Sequence, residues 1–80
     1  MVLKPSHLKI LCAVADYGSF SEAALQLQIS QSAVSYAIAT LEDELGIVLF
    51  SRGRHGATLS PIGDKIVERA RQILSLMDDI

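Results

Sequence analysis

Several things that would settle the class of this chain at once are scarce in it. A single cysteine, Cys12, stands among 80 residues, so no internal disulfide can form. Its place inside the apolar stretch LKILCAVA reads as a small buried core residue. No apolar run approaches the roughly 20 residues that a membrane span needs, and MVLKPSHLKI at the N-terminus lacks the tripartite pattern of a signal peptide. The expectation is a cytoplasmic protein with no membrane partner. Basic excess is missing too: seven Lys and Arg against nine Asp and Glu give a formal net charge of -2, which argues against a polycation that holds nucleic acid by bulk electrostatics. Catalysis has little material. His7 and His55 fall in different elements, and no motif places an acid, a base and a nucleophile together. Cys12, His7 and Asp16 fall on different helical faces and lack metal-ligand spacing. No enzyme, cofactor or metal site is expected.

What is present suits one compact domain. Half the residues are apolar and a fifth are charged, too hydrophobic for a disordered tail. The length is near the lower end of what can bury a self-sufficient core, so a partner subunit is a natural supplement. The charges are segregated. Residues 47–60 hold Arg52, Arg54 and His55 with no acid, Glu42, Asp43 and Glu44 form one cluster, and Asp78 and Asp79 lie at the far C-terminal side.

Periodicity gives the elements. Leu8, Leu11, Cys12 and Ala15, widened by Ile10 and Val14, predict a core helix from Pro5 to Tyr17, with Pro5 in its first turn and Gly18 ending it in the left-handed conformation. Ser19 and Glu22 have capping-box spacing and predict a second helix over roughly 20–28. After the short break QIS, Ser30 is the N-cap expected for a third helix from Gln31 to Leu45, stopped by Gly46, with Val34, Ile38, Leu41 and Leu45 inward and Ala33 and Ala37 flanking. IVLFSR, GRHG and ATLS then read as a small hairpin, or wing. Ser60 and Pro61 restart a helix in which Ile66, Ala70, Ile73, Met77 and Ile80, preceded by Ile62, recur at a/d spacing and predict a dimer seam. The expected fold is therefore mostly α: a winged helix-turn-helix with a three-helix core in residues 1–60, then a long linker or dimerisation helix in residues 61–80.

Two helices joined by about three residues, the second open to solvent at its N-terminal side, match the helix-turn-helix, whose second helix enters the major groove. Gln28 departs from the ease of glycine at the turn, and a positive φ there costs about 1 kcal/mol. With the apolar face inward, the opposite face carries Gln31, Ser32, Ser35 and Tyr36, then Ala39 and Thr40. Gln pairs bidentately with adenine N6 and N7, Ser meets either base edge, and Tyr reaches a phosphate or packs on a thymine methyl. Discrimination of this kind needs no net charge. Glu42, Asp43 and Glu44 lie farthest from the groove and are expected to meet a basic surface within the protein. Affinity is expected from Ser19, Ser21, Ser30 and Thr40 on phosphates and from Arg52, Arg54 and His55 of the wing in or along the minor groove.

The ordered run GSFSEAALQL, SQSAVSYAIATLEDELGIVLFSR, wing and LSPIG resembles the N-terminal DNA-binding domain of LysR-type transcriptional regulators over nearly the whole chain. The resemblance implies a winged-helix homodimer on a pseudo-palindromic double-stranded DNA site, with the last helix pairing between subunits and a tetramer possible in a full-length parent. It also implies that the chain is a fragment lacking a C-terminal effector-binding domain, through which alone a small-molecule effector would act. Gln31, Ser32, Ser35 and Tyr36 match the family's base-reading positions, and Arg52 or Arg54 its minor-groove position. Ser32 stands where proline is common and Tyr36 where arginine is common, which unsettles transfer of any family target sequence. The competing reading is a protein-interaction module, favoured slightly by the low basic charge; Gln31, Ser35 and the wing arginines favour DNA, because a protein-binding face more often exposes aromatic or aliphatic anchors there.

Overall fold

The computed structural model describes residues 3–53 and 56–78. Three helices, α1 (Pro5–Tyr17), α2 (Phe20–Leu27) and α3 (Gln31–Leu45), lead into a hairpin of β1 (Phe50–Gly53) and β2 (Gly56–Leu59), and α4 (Pro61–Asp78) follows. The helix starts are set by local chemistry. Ser19 accepts from the Glu22 N–H at 3.1 Å and Ser30 from the Ala33 N–H at 3.0 Å. Ser60 accepts from the Gly63 N–H at 3.0 Å. The Ser19 cap is one half of the expected box, because the Glu22 carboxylate accepts from Gln26 instead. Gly18 and Gly46 end α1 and α3 in the left-handed conformation, and Gln28 ends α2 there with φ 59.

The core lies where α1 crosses α2, α3 and α4, with Leu11, Val14, Val34, Leu41 and Leu49 fully buried. On α3 the buried stripe is Val34, Ala37, Ile38 and Leu41, while Leu45 is half-exposed. The inward face is thus rotated slightly toward Ala37 relative to the sequence expectation, since a small residue lets α3 sit closer to its neighbours. Cys12 is buried as expected, and that burial pushes its thiol pKa up against the smaller opposing effect of Arg71. Among the described residues, no buried side-chain polar atom lacks a partner, and no helix is long and apolar enough to cross a membrane.

The hairpin is antiparallel with Phe50 opposite Leu59 and Gly53 opposite Gly56. Its first strand begins only at Phe50. Ile47 to Leu49 form a strap instead, held by backbone bonds: the Leu49 N–H donates to the Glu42 carboxylate at 2.7 Å and the Leu49 carbonyl accepts from the Ser60 N–H at 2.9 Å. Glu42 therefore meets a backbone amide and not the basic surface expected of it. The return strand is tied to the α1–α2 turn, where the Ala57 N–H donates to the Gly18 carbonyl at 3.0 Å and a Cβ on Gly56 would meet that oxygen at 2.3 Å.

The last helix differs most from expectation. Gly63, Val67 and Ala70 are buried in the domain's own core, Ile66 and Leu74 pack partly against it, and the exposed Asp16–Arg71 ion pair at 2.6 Å joins α1 to α4. An exposed pair of this kind contributes less than about 1 kcal/mol, so burial does most of the fixing. Through these residues α4 packs against α1 and the shared core.

Gly63 sits where α4 passes the Leu49 carbonyl, which an added Cβ would approach to 2.4 Å. Alanine gains about 1 kcal/mol of helix propensity, but overpacking against backbone costs about 1–3 kcal/mol. Gly63→Ala is expected to lower the urea midpoint, corresponding to a net loss of up to about 2 kcal/mol. An unchanged midpoint would show that the strap can retreat.

Candidate nucleic-acid interface

The first half of α3 is the exposed element from which the site is built. Gln31, Ser32 and Tyr36 are exposed, Tyr36 at 67%, and Ser35 and Thr40 are half-buried. No charge interrupts this surface before Glu42. The helix is held from behind by Val34, Ala37, Ile38 and Leu41, so its outer face is presented without freedom to roll. The turn before it is equally fixed: Ile29 donates its N–H to the Ala24 carbonyl at 3.0 Å while Gln28 occupies the left-handed region.

Each flank of this face abuts another element. On one side the imidazole of His7, in the first turn of α1, meets the Tyr36 ring edge to face with centroids 6.2 Å apart. On the other side, Ser35, Ala39 and Glu42 share a shallow cleft of about 260 Å³ with Phe20, Phe50 and Arg52. The Arg52 guanidinium lies 3.8 Å from the Phe20 ring centroid, and Phe20 in turn packs edge to face on Phe50 at 5.8 Å. A cation–π contact at an exposed site contributes about 0.5–1 kcal/mol, enough to favour one placement of a long flexible side chain. Arg52 is thereby drawn back over the start of α2. It also borders a smaller cleft of about 130 Å³ that includes Ser19, Ser21, Gln31 and Gly53.

The predicted phosphate-contacting serines separate by role. Ser19 and Ser30 use their oxygens as helix caps, which leaves each hydroxyl hydrogen free to donate outward. Ser21 caps nothing; its hydroxyl donates to Gln31 Oε1 at 3.3 Å. Thr40 is half-buried, one turn beyond Tyr36. Arg54 and His55 of the wing, and Ile80 of the seam, lie outside the described residues. Of the other seam residues, Ala70 is 1% exposed and occupied by the domain's own core, Ile66 is half-buried, and Ile62, Ile73 and Met77 are exposed at 43–47%. Leu76, absent from the predicted seam, is the most exposed apolar side chain of α4 at 67%.

Sequence reasoning weighed His7 only as a catalytic or metal-binding group and missed its contact with Tyr36. The signal available was faint, because nothing in the spacing of residues 7 and 36 brings α1 beside α3. The Arg52–Phe20 contact was also missed, although the capping of α2 by Ser19 placed Phe20 at its first position. Among the described residues, no three His, Cys, Asp or Glu side chains cluster as a metal site would require.

Comparison with known proteins fits this geometry. Residues 5–64 match the model of the bacterial regulatory helix-turn-helix protein, lysR family. The chain is 56% identical over 75 residues to the "Probable HTH-type transcriptional regulator LrrA" of Synechococcus elongatus, covering 94% of this chain and 26% of that protein. It is 39% identical over 80 residues to the small neutral protease regulatory protein of Streptomyces coelicolor, covering 100% of this chain and 24% of the relative. Among solved structures, the CbnR DBD–DNA complex superposes with a TM-score of 0.92 at 36% identity, covering 95% of this chain and 87% of that one. The BenM DBD/catB site 1 DNA complex superposes at 0.91 with 37% identity, covering 95% and 85% respectively. The chain spans about a quarter of the length of the curated relatives it matches. With a capped α2, a three-residue turn, a neutral exposed α3 and a hairpin folded back beside it, the chain belongs to the lysR family of bacterial regulatory helix-turn-helix proteins.

Proposed function

We propose that this chain is a sequence-specific reader of double-stranded DNA, the DNA-binding part of a LysR-type transcriptional regulator. The observation that carries the reading is the uncharged, hydrogen-bonding first half of α3, exposed on a helix whose other side is locked into the core. In this reading Gln31, Ser32, Ser35 and Tyr36 meet base edges in the major groove. Ser19, Ser30 and Thr40 donate to phosphates, joined by Arg52 from its place over Phe20. The hairpin lies along the adjacent minor groove. The role is binding and not catalysis, in keeping with relatives that are transcriptional regulators, and its setting is the cytoplasm.

A homodimer completes the proposal. Ile62, Ile73, Leu76 and Met77 leave an apolar stripe on α4 that nothing in the single chain covers among the described residues. Pairing two such stripes would place two α3 helices on half-sites about one helical turn, or a multiple of it, apart. Effector sensing, and any tetramer, belong to the larger regulator implied by the relatives' length.

Selection of bound sequences from a random duplex pool tests the reading, with enrichment of an inverted repeat as the expected outcome. On the selected duplex, Gln31→Ala is expected to cost about 1–3 kcal/mol and to relax preference at one base pair, whereas Arg52→Ala weakens binding to all sequences more evenly. Equal loss on every duplex for Gln31→Ala would remove it from the reading set, and failure to enrich any sequence with folded protein would favour a protein-binding role.

Few cations are available, so titration at several salt concentrations should give a shallow slope, on the order of two to four phosphates neutralised per subunit. A slope typical of about eight or more would contradict the proposed contacts.

Ile73→Asp places a charge in the proposed seam and is expected to leave a folded monomer in sedimentation analysis. A dimer that survives the change would place the subunit contact elsewhere.

A further inference from the structure

We propose that Ser21 is a positioning residue for base reading: it orients the Gln31 amide from α2 and is not itself a phosphate contact. The inference rests on the reading of Gln31 as a base-contacting residue. Its basis is the hydrogen bond from the Ser21 hydroxyl to Gln31 Oε1 at 3.3 Å, made across ten residues between two helices. Ser21 occupies the second position of α2, but the capping of that helix falls to Ser19. The Ser21 hydroxyl is thus free for a task that local helix chemistry does not impose.

The geometry around the pair is fixed independently of the bond. Gln31 is the first residue of α3, immediately after its Ser30 cap, and Ser21 lies one residue inside α2. The intervening turn is locked by the left-handed Gln28 and by the Ile29-to-Ala24 backbone bond. The hydroxyl and the amide therefore face one another because the two backbones do, with Arg52 bordering the same cleft. An exposed glutamine at a helix start would otherwise sample several rotamers, and ordering one long side chain on binding costs free energy.

The chemistry of the amide makes this bond compatible with reading. A carbonyl oxygen has two lone pairs, so one accepts from Ser21 while the other remains for adenine N6–H. With Oε1 as the acceptor, the amide N–H₂ is left to donate to N7, the second half of the bidentate pair. Ser21 thus sets which end of the amide points where, without occupying either group that the base requires. The consequence is a serine that governs discrimination at a base pair it never touches, in place of the even contribution of a phosphate contact.

The test uses a duplex selected from a random pool by the unmodified chain and a second duplex changed only at the base pair whose preference Gln31→Ala relaxes. Ser21→Ala is expected to reduce the affinity ratio between the two duplexes about three- to tenfold, with little change in binding to the altered duplex. Ser21→Thr, which keeps the hydroxyl, is expected to restore the ratio. In a Gln31→Ala background, Ser21→Ala should add nothing further. Equal weakening on both duplexes, persisting in the Gln31→Ala background, would make Ser21 a phosphate contact and overturn the inference while leaving DNA reading intact. If the unmodified chain enriches no sequence, or if Gln31→Ala relaxes no base pair, the reading of Gln31 fails and this inference fails with it.

Discussion

The backbone of Leu49 is the point on which the outer parts of the fold depend. Its side chain is fully buried, its N–H is held by Glu42 of α3, and its carbonyl accepts from Ser60 at the head of α4. The same carbonyl faces Gly63, where a side chain would not fit. Three elements are therefore referenced to one residue. Phe50 follows directly and carries Phe20 and, through it, Arg52; displacement at Leu49 would move the hairpin, the cation and the last helix together. This explains why one carboxylate of the acidic cluster on α3 is retained close to a surface proposed to meet a polyanion: Glu42 satisfies a partly buried amide, and leaving such a donor unpaired costs about 1–3 kcal/mol.

Much of the fold was legible because helix ends are written in local chemistry. Ser19, Ser30 and Ser60 accept from the N–H three residues on, and Gly18 and Gly46 take positive φ. Each is a rule of a few adjacent residues, so α1 and α3 end where the spacing predicts. The outward side of α3 was legible in part for the same reason: once Val34, Ile38 and Leu41 are inward, Ser32 and Tyr36 point outward, whereas Gln31, in line with Val34 and Ile38, is exposed at the first position of the helix.

What was not legible depends on contacts between distant residues. Nothing in the order of the chain tells that Arg52 would fold onto Phe20, that His7 would reach Tyr36, or that Glu42 would take an amide in place of a cation. The last helix shows the limit of periodicity. Its apolar residues form two overlapping stripes, Gly63, Val67, Ala70 and Leu74 against the core and Ile62, Ile73, Leu76 and Met77 toward solvent. A spacing of three and four recurs in both, so counting alone assigned Ala70 to the outer seam although it closes the inner one.

The inner stripe changes what kind of part α4 is. Through Val67, Ala70 and Leu74 it joins the core, and α1 is packed against both α4 and α3. A second copy seated on the outer stripe would therefore grip something continuous with the reading surface. The distance and twist between two reading helices would then be set like the jaws of a fixed caliper. Any misfit between that span and a stretch of duplex would fall on the softer of the two bodies, so the DNA would bend to the protein.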